Sequence, residues 1–278
     1  MAFAIAADGA RIHYEISGKS DGTQVVMIQG LGVDSRGWAL QRPRFGRSHR
    51  VLTFDNRGVG ETDRPDGALD LEVMAADAIA CMDAAGIDRA HIMGASMGGV
   101  IAQIIGVRYP ERVSSLVLAC TACRHHQWRR ELLDEWATDV ADHGMAAFVS
   151  SEGMHWLIGP RLQRRFGMFI NILGRLVLQT KPESFVKQVR AILAMSDDMR
   201  DELVHINAPT LVITGTQDSL TPVGDAEELN ELILGSKLVL VSGAAHGVMA
   251  EAPNAFNRAV LDFLADVDAQ VKAQAAIQ

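Results

Sequence analysis

Short apolar runs rich in β-branched residues alternate along the chain with longer stretches in which apolar positions return at helical spacing. That alternation predicts βαβ units and a mostly parallel sheet, an α/β fold. The predicted strands are Gln24–Gln29, Arg50–Asp55, His91–Gly94, Ser114–Ala119, Thr210–Gly215 and Lys237–Ser242, each running into Gly, Asp, Ser or another loop former. Ahead of them, Phe3–Ser17 reads as an antiparallel hairpin that turns at Asp8 and Gly9. Leu71, Ala75, Ala78 and Met82 mark a helix that Gly86 closes. Met97–Tyr109 is apolar nearly all round and stops before Pro110, the pattern of a helix buried against a sheet. Leu229, Leu232 and Ile233 mark a later amphipathic helix, and Phe256, Val260, Phe263 and Leu264 mark a last one begun by Pro253. After Asp266 the tail is thinly apolar and is expected to fray.

From about Arg124 to His205 the strand signals vanish, and helical patterns carrying Trp128, Trp136, Trp156, Phe166 and Phe169 take their place. Residues 124–205 are therefore expected to form a helical insertion in a core made of residues 1–123 and 206–278. A length of 278 residues suits one α/β domain with such an insertion. The composition, 48% hydrophobic and 22% charged, is enough to bury a large core and wall off a dry pocket.

Charge narrows the partners. Lys and Arg number 26 against 34 Asp and Glu, a net charge of -8 with no long block of one sign, which argues against a nucleic-acid partner. The opening residues have no basic start and no long apolar core before Asp8 and Arg11, so neither a secretion signal nor a membrane anchor is expected, and the predicted location is cytoplasmic. Three cysteines, Cys81, Cys120 and Cys123, are too few and too uneven for a disulfide framework. Cys120 and Cys123 have redox or half-zinc spacing but lack a second Cys/His pair, so buried or pocket-edge thiols are the preferred reading.

The chemistry begins at Ser96, set among Gly94, Gly98 and Gly99 where a predicted strand ends and a buried helix begins. A nucleophile lifted above a parallel sheet needs a sharp, strained strand-to-helix turn, and small neighbours relieve the crowding. G-A-S-M-G thus reads as a G-x-S-x-G nucleophile elbow, with the Met97 N–H aimed where an oxyanion would form. A serine hydroxyl needs a general base, and that base needs an orienting carboxylate. Asp218 follows the strand Thr210–Gly215 and His246 follows Lys237–Ser242, so the order Ser96, Asp218, His246 completes a triad. Taken singly, Asp218 also suits a capping carboxylate and His246 an unpartnered loop histidine. Among the other histidines, His91 begins a strand, and His125, His126, His143 and His155 fall in the insertion, where exposure to solvent is expected.

On these features the chain resembles the α/β-hydrolase family over nearly all of its length outside the insertion. The resemblance implies a mostly parallel eight-stranded sheet flanked by helices, with the insertion as a helical cap. Asp55–Asp63, DNRGVGETD, is similar to the family's D-x-R-G-x-G segment, where Arg57 is expected to brace loops. The family's second oxyanion donor maps onto the Leu31 backbone N–H in Gln29–Gly32. Many members carry His-Gly where this chain has Gln29-Gly30, and the Gln29 amide is expected to take over the loop hydrogen bonding.

A serine in place of a carboxylate at the elbow argues against halide displacement and epoxide opening. The expected activity is that of a carboxylic ester hydrolase acting on a small or medium ester or lactone through an acyl-enzyme, with no metal or organic cofactor implied. Carbon–carbon bond hydrolysis, cofactor-free peracid formation and a weakly active ligand sensor on the same fold are the alternatives. Pocket candidates are Gly30, Trp156, Phe166, Phe169, Leu220 and Val248, with Met154, Leu157 and Leu173 beside them, although each cap residue equally suits the cap's own core. Arg161, Arg164 and Arg165 are read as a solvated helix face in preference to a binding site for a substrate carboxylate. A small-molecule substrate is the expected partner, and self-association is left open.

Overall fold

The structure, a computed structural model, describes residues 2–64, 66–150, 153–165, 178, 180–196 and 198–275. Its eight strands are β1 (Ala2–Ile5), β2 (Arg11–Gly18), β3 (Thr23–Ile28), β4 (His49–Phe54), β5 (Ala90–Ala95), β6 (Val113–Ala119), β7 (Thr210–Gly215) and β8 (Lys237–Val241). They form one sheet in the order β1-β2-β4-β3-β5-β6-β7-β8. Pairing is antiparallel from β1 to β2 and from β2 to β4, and parallel across the rest. The six predicted runs are the six parallel strands, and the predicted hairpin is β1 and β2.

Alternation along the strands feeds two cores. Val26, Ile28, Leu52, Ile92, Leu116 and Leu118 point to one face, while Val25, Met27, Val51, Met93, Val117 and Ala119 point to the other. Both faces are covered, which is why these strands read as nearly continuous apolar runs. The first face carries the helices α1 (Leu71–Ala84) and α2 (Met97–Arg108), and residue 86, a glycine at φ 66°, ends α1 as expected. Between β6 and β7 lie α3 (Gln127–His143), two short helices (Met145–Ser150 and Gly153–Leu157) and α4 (Pro182–Leu193). After β7 come α5 (Val223–Leu232) and, after β8, α6 (Pro253–Ala275), which packs on the second face through Phe256, Val260, Phe263 and Leu264.

The expectation of a frayed tail after Asp266 is overturned, because α6 continues to Ala275. Val267 is buried in the second core, and Asp268 accepts from Thr23 Oγ1 at 2.8 Å and pairs with His91 Nε2 at 3.1 Å. Two polar anchors and one valine hold a stretch that the hydrophobic pattern alone leaves loose. Among the described residues no helix is long and apolar enough to cross a membrane.

Candidate active site

The carboxyl ends of β5, β7 and β8 meet at one cavity. Ser96 follows β5 and caps α2 with φ 54° and ψ -119°, in a region that side-chain-bearing residues seldom occupy. Four bonds hold it there: its N–H donates to the Ala119 carbonyl at 2.9 Å, and its carbonyl accepts from Gly99 N at 2.8 Å, Val100 N at 3.2 Å and Thr121 Oγ1 at 2.8 Å. The flanking glycines are required by contact. A Cβ on Gly94 would collide with the Gly98 carbonyl, and a Cβ on Gly98 with the carbonyls of Ile28 and Gln29.

Ser96 Oγ lies 3.0 Å from His246 Nε2, and His246 Nδ1 lies 2.9 Å from Asp218 Oδ2. A carboxylate only accepts, so Nδ1 carries the proton and Nε2 is left to accept from the serine. Asp218 is almost wholly buried. Its Oδ1 accepts from the N–H groups of Leu220 (3.0 Å) and Thr221 (2.9 Å), and its Oδ2 from the Thr221 hydroxyl (2.8 Å). Burial alone would raise the Asp218 pKa, but the neighbouring His246 and the Thr221 donors outweigh it and hold the carboxyl below its ordinary range. The three residues named from separate loops are thus brought within hydrogen-bonding reach of one another.

The N–H groups of Leu31 and Met97 have no acceptor among the described residues, and both residues line the cavity beside Ser96. Gln29 is buried; its side-chain oxygen accepts from Gly30 N at 3.3 Å, and its carbonyl accepts from Asn56 Nδ2 at 2.9 Å. The side-chain amide of Gln29 thus bonds to the next residue of its own loop, while Asn56 holds the backbone. Arg57 is likewise a brace, paired with Asp77 at 2.5 Å and with Asp8 at 2.5 Å.

The cavity has a volume of about 340 Å³, in the range of small-molecule sites, and its walls are almost entirely apolar. Gly30 and Leu220 line it, as do Met154 and Leu157. Two other candidates do not. Trp156 stacks on Trp128 at 6.1 Å between ring centroids, and Val248 is fully buried in the core beneath the His246 loop. Phe166, Phe169 and Leu173 lie outside the described residues. Arg161, Arg164 and Arg165 are exposed and absent from the lining, in keeping with a solvated face.

Sequence reasoning missed other lining residues, among them Trp136, Phe148 and Phe185, whose contribution depends on how the helices between β6 and β7 pack. His125 also lines the cavity, contrary to the expectation that it faces solvent, whereas His126, His143 and His155 are exposed. All three cysteines are buried and unpaired. Cys120, Asp218 and His246 bring three metal-type donor atoms within 4.8 Å of one another. Burial, followed by the nearby Asp218 charge, pushes the Cys120 thiol well up, so it stays protonated and is a poor ligand.

Residues 23–145 match a family model described as the alpha/beta hydrolase fold, and residues 192–274 match one described as TAP-like protein. The crystal structure of the enol-lactonase from Burkholderia xenovorans LB400 superposes with a TM-score of 0.88 at 28% identity, over 95% of this chain and 100% of that one. The chain has the α/β-hydrolase fold. Among curated α/β-hydrolase relatives, 3-oxoadipate enol-lactonase 2 of Acinetobacter baylyi is 28% identical over 92% of this chain and 94% of its own. The putative carbamate hydrolase RutD of Azorhizobium caulinodans is 27% identical over 93% of this chain and 97% of its own. Hydrolysis is common to the names of these relatives.

Proposed function

We propose that the protein hydrolyses a small or medium carboxylic ester or lactone through an acyl-Ser96 intermediate. The observation that carries this reading is the unbroken relay from Ser96 Oγ to His246 Nε2 (3.0 Å) and from His246 Nδ1 to Asp218 Oδ2 (2.9 Å). Ser96 Oγ attacks the substrate carbonyl while His246 Nε2 takes its proton, and Asp218 holds the imidazole in the required tautomer and balances its charge. The Leu31 and Met97 N–H groups receive the oxyanion, with the amino end of α2 behind Met97 adding a favourable partial charge. His246 then returns the proton to the leaving alkoxide, and water, activated by the same imidazole, releases the acid. In a lactone the leaving oxygen remains part of the acyl chain as a hydroxyl, and the second step releases a single hydroxy acid. The described residues within 124–205 serve as a cap that walls the pocket.

The names of the enol-lactonase relatives support acyl chemistry on a cyclic ester. A panel of p-nitrophenyl esters, lactones and a carbamate, with products identified by mass spectrometry, tests the reading. Acyl-Ser96 should be trapped from p-nitrophenyl acetate and lost in Ser96→Ala. Ester turnover that survives Ser96→Ala would overturn the mechanism.

A further inference from the structure

Away from Ser96 and His246, the polar side chains among the described lining residues are committed to the protein or closed off from the cavity. The Thr121 hydroxyl donates to the Ser96 carbonyl at 2.8 Å, and the Thr221 hydroxyl donates to Asp218 Oδ2 at 2.8 Å. Gln29 is buried against its own loop, and the Cys120 thiol is buried. Both ring nitrogens of His125 and the indole nitrogen of Trp136 lie out of reach of solvent, so these two residues turn carbon to the cavity. Arg129, the one described lining residue with a full charge, is itself almost wholly buried and is paired with Asp225. The groups free to meet a polar atom of a ligand thus gather at the reacting centre: Ser96, His246 and the N–H groups of Leu31 and Met97. Beyond them, Leu31, Val33, Leu157, Ile158, Leu162 and Met249 line the cavity and are only half-buried, so their apolar surface is still open.

We propose that the substrate is an uncharged ester or lactone whose only polar group is the one that reacts, the rest being a hydrocarbon chain of medium length packed on these side chains. The inference rests on the reading of Ser96 as the nucleophile, and it narrows the substrate within that reading.

Covering open apolar surface releases free energy in proportion to the area taken out of water. A cavity of about 340 Å³ has room for a chain of several carbons beyond the carbonyl. Each added methylene therefore strengthens binding until the walls are covered. A carboxylate at the far end of the same chain would be stripped of its water against hydrocarbon, and the Arg129 charge is already balanced by Asp225. A hydroxyl or amide there would give up its hydrogen bonds to water for contact with carbon.

The test is a series of p-nitrophenyl esters, acetate, butanoate, hexanoate and octanoate, beside esters of matched length whose acyl chain ends in a carboxylate, each corrected for spontaneous hydrolysis. In the alkyl series kcat/KM should climb about two- to fourfold per methylene until the cavity is full, fourfold being the worth of one fully buried CH₂. The carboxylate-ended esters should fall about tenfold or more below their alkyl partners. Leu162→Lys, which brings a cation to a half-buried position on the wall, should narrow that gap. Leu157→Trp, which takes up cavity space, should move the optimum to a shorter chain and serves if Leu162→Lys fails to fold. A flat series in the parent enzyme, carboxylate esters that match the alkyl ones, or a gap and an optimum indifferent to both substitutions would overturn the inference. Calorimetric binding of the hexanoate and acetate esters to Ser96→Ala separates the two claims. Tighter binding of the longer ester without turnover in the parent enzyme keeps the apolar substrate and removes the reaction, whereas equal turnover along the series keeps the reaction and removes the apolar preference.

Discussion

Asp218 shows how much one carboxylate can be made to do. Its Oδ1 is occupied by two backbone N–H groups, which leaves Oδ2 to the Thr221 and Thr214 hydroxyls and to His246 and fixes the imidazole in one tautomer. In Asp218→Asn the side-chain amide can present an N–H to Nδ1, forcing the proton onto Nε2 and away from its task. Steady-state kinetics should show kcat lowered by about 10⁴-fold with the fold retained. His125 carries a second prediction. Its pKa falls from 6.5 to about 3, so between these values the unfolded chain binds a proton that the native state refuses, and stability drops as pH falls. The contribution is about 1.4 kcal/mol per pH unit across that window. Urea midpoints at pH 7 and pH 5 should therefore differ by less in His125→Gln than in the parent. Ser96, Asp218 and His246 were legible in the sequence because each lies in a loop directly after a strand, where chain order fixes the neighbourhood. His125 was not, because whether a polar residue ahead of a helix is buried depends on the elements folded over it.

At the level of elements, the elbow joins β5 to α2 so closely that backbone meets backbone at Gly94 and Gly98. The carbonyls of Gly98, Ile28 and Gln29 cannot step aside as a side chain would, so Gly94→Ala or Gly98→Ala should cost about 1–3 kcal/mol or more. Calorimetry would register this as a lower Tm, with ester turnover falling in parallel as Ser96 is displaced. The last helix offers a different contrast. Helical spacing identified its first half through Phe256, Val260, Phe263 and Leu264, while the second half is held by Asp268 bonding back to Thr23 and His91. A hydrophobic pattern carries no signal for a polar partner that lies 177 positions away. Burial tends to raise the Asp268 pKa, but His91 and Thr23 more than offset this and lower it. Its stabilising share is therefore present above the ordinary carboxylate range and is lost as pH falls through the lowered value. Asp268→Ala should cost about 1.5–3 kcal/mol at neutral pH, measured by urea denaturation, and less in acid.

Across the whole molecule, the sheet order and the two cores follow from the alternating pattern, whereas the shape of the pocket comes from helices whose mutual packing that pattern leaves open. Trp156 illustrates the limit, since an aromatic in this region serves the cavity equally well as lining or as a stacking partner, and here it pairs with Trp128. The helical segment also grips the core at several points. Gln188 on α4 accepts from Gly32 N at 2.8 Å and donates to the Arg57 carbonyl at 3.0 Å, and Thr180 Oγ1 donates to the Gly32 carbonyl at 2.5 Å. On the other side Gly247 N donates to the Leu157 carbonyl at 2.7 Å, and Glu251 accepts from both Gly159 N and Ala245 N at 3.1 Å. Gln188→Ala should lower kcat more than it raises KM, because it frees the loop that carries Leu31 while leaving the apolar walls in place. The ratio of the two effects in steady-state kinetics is the check. For protein engineering this double attachment has a cost: grafting the roof of another hydrolase onto this base would exchange the fasteners of two reactive loops along with the ceiling. Such a hybrid should regain its speed only when the sockets at Gly32, Arg57, Ala245 and Gly247 are recut to suit the new piece.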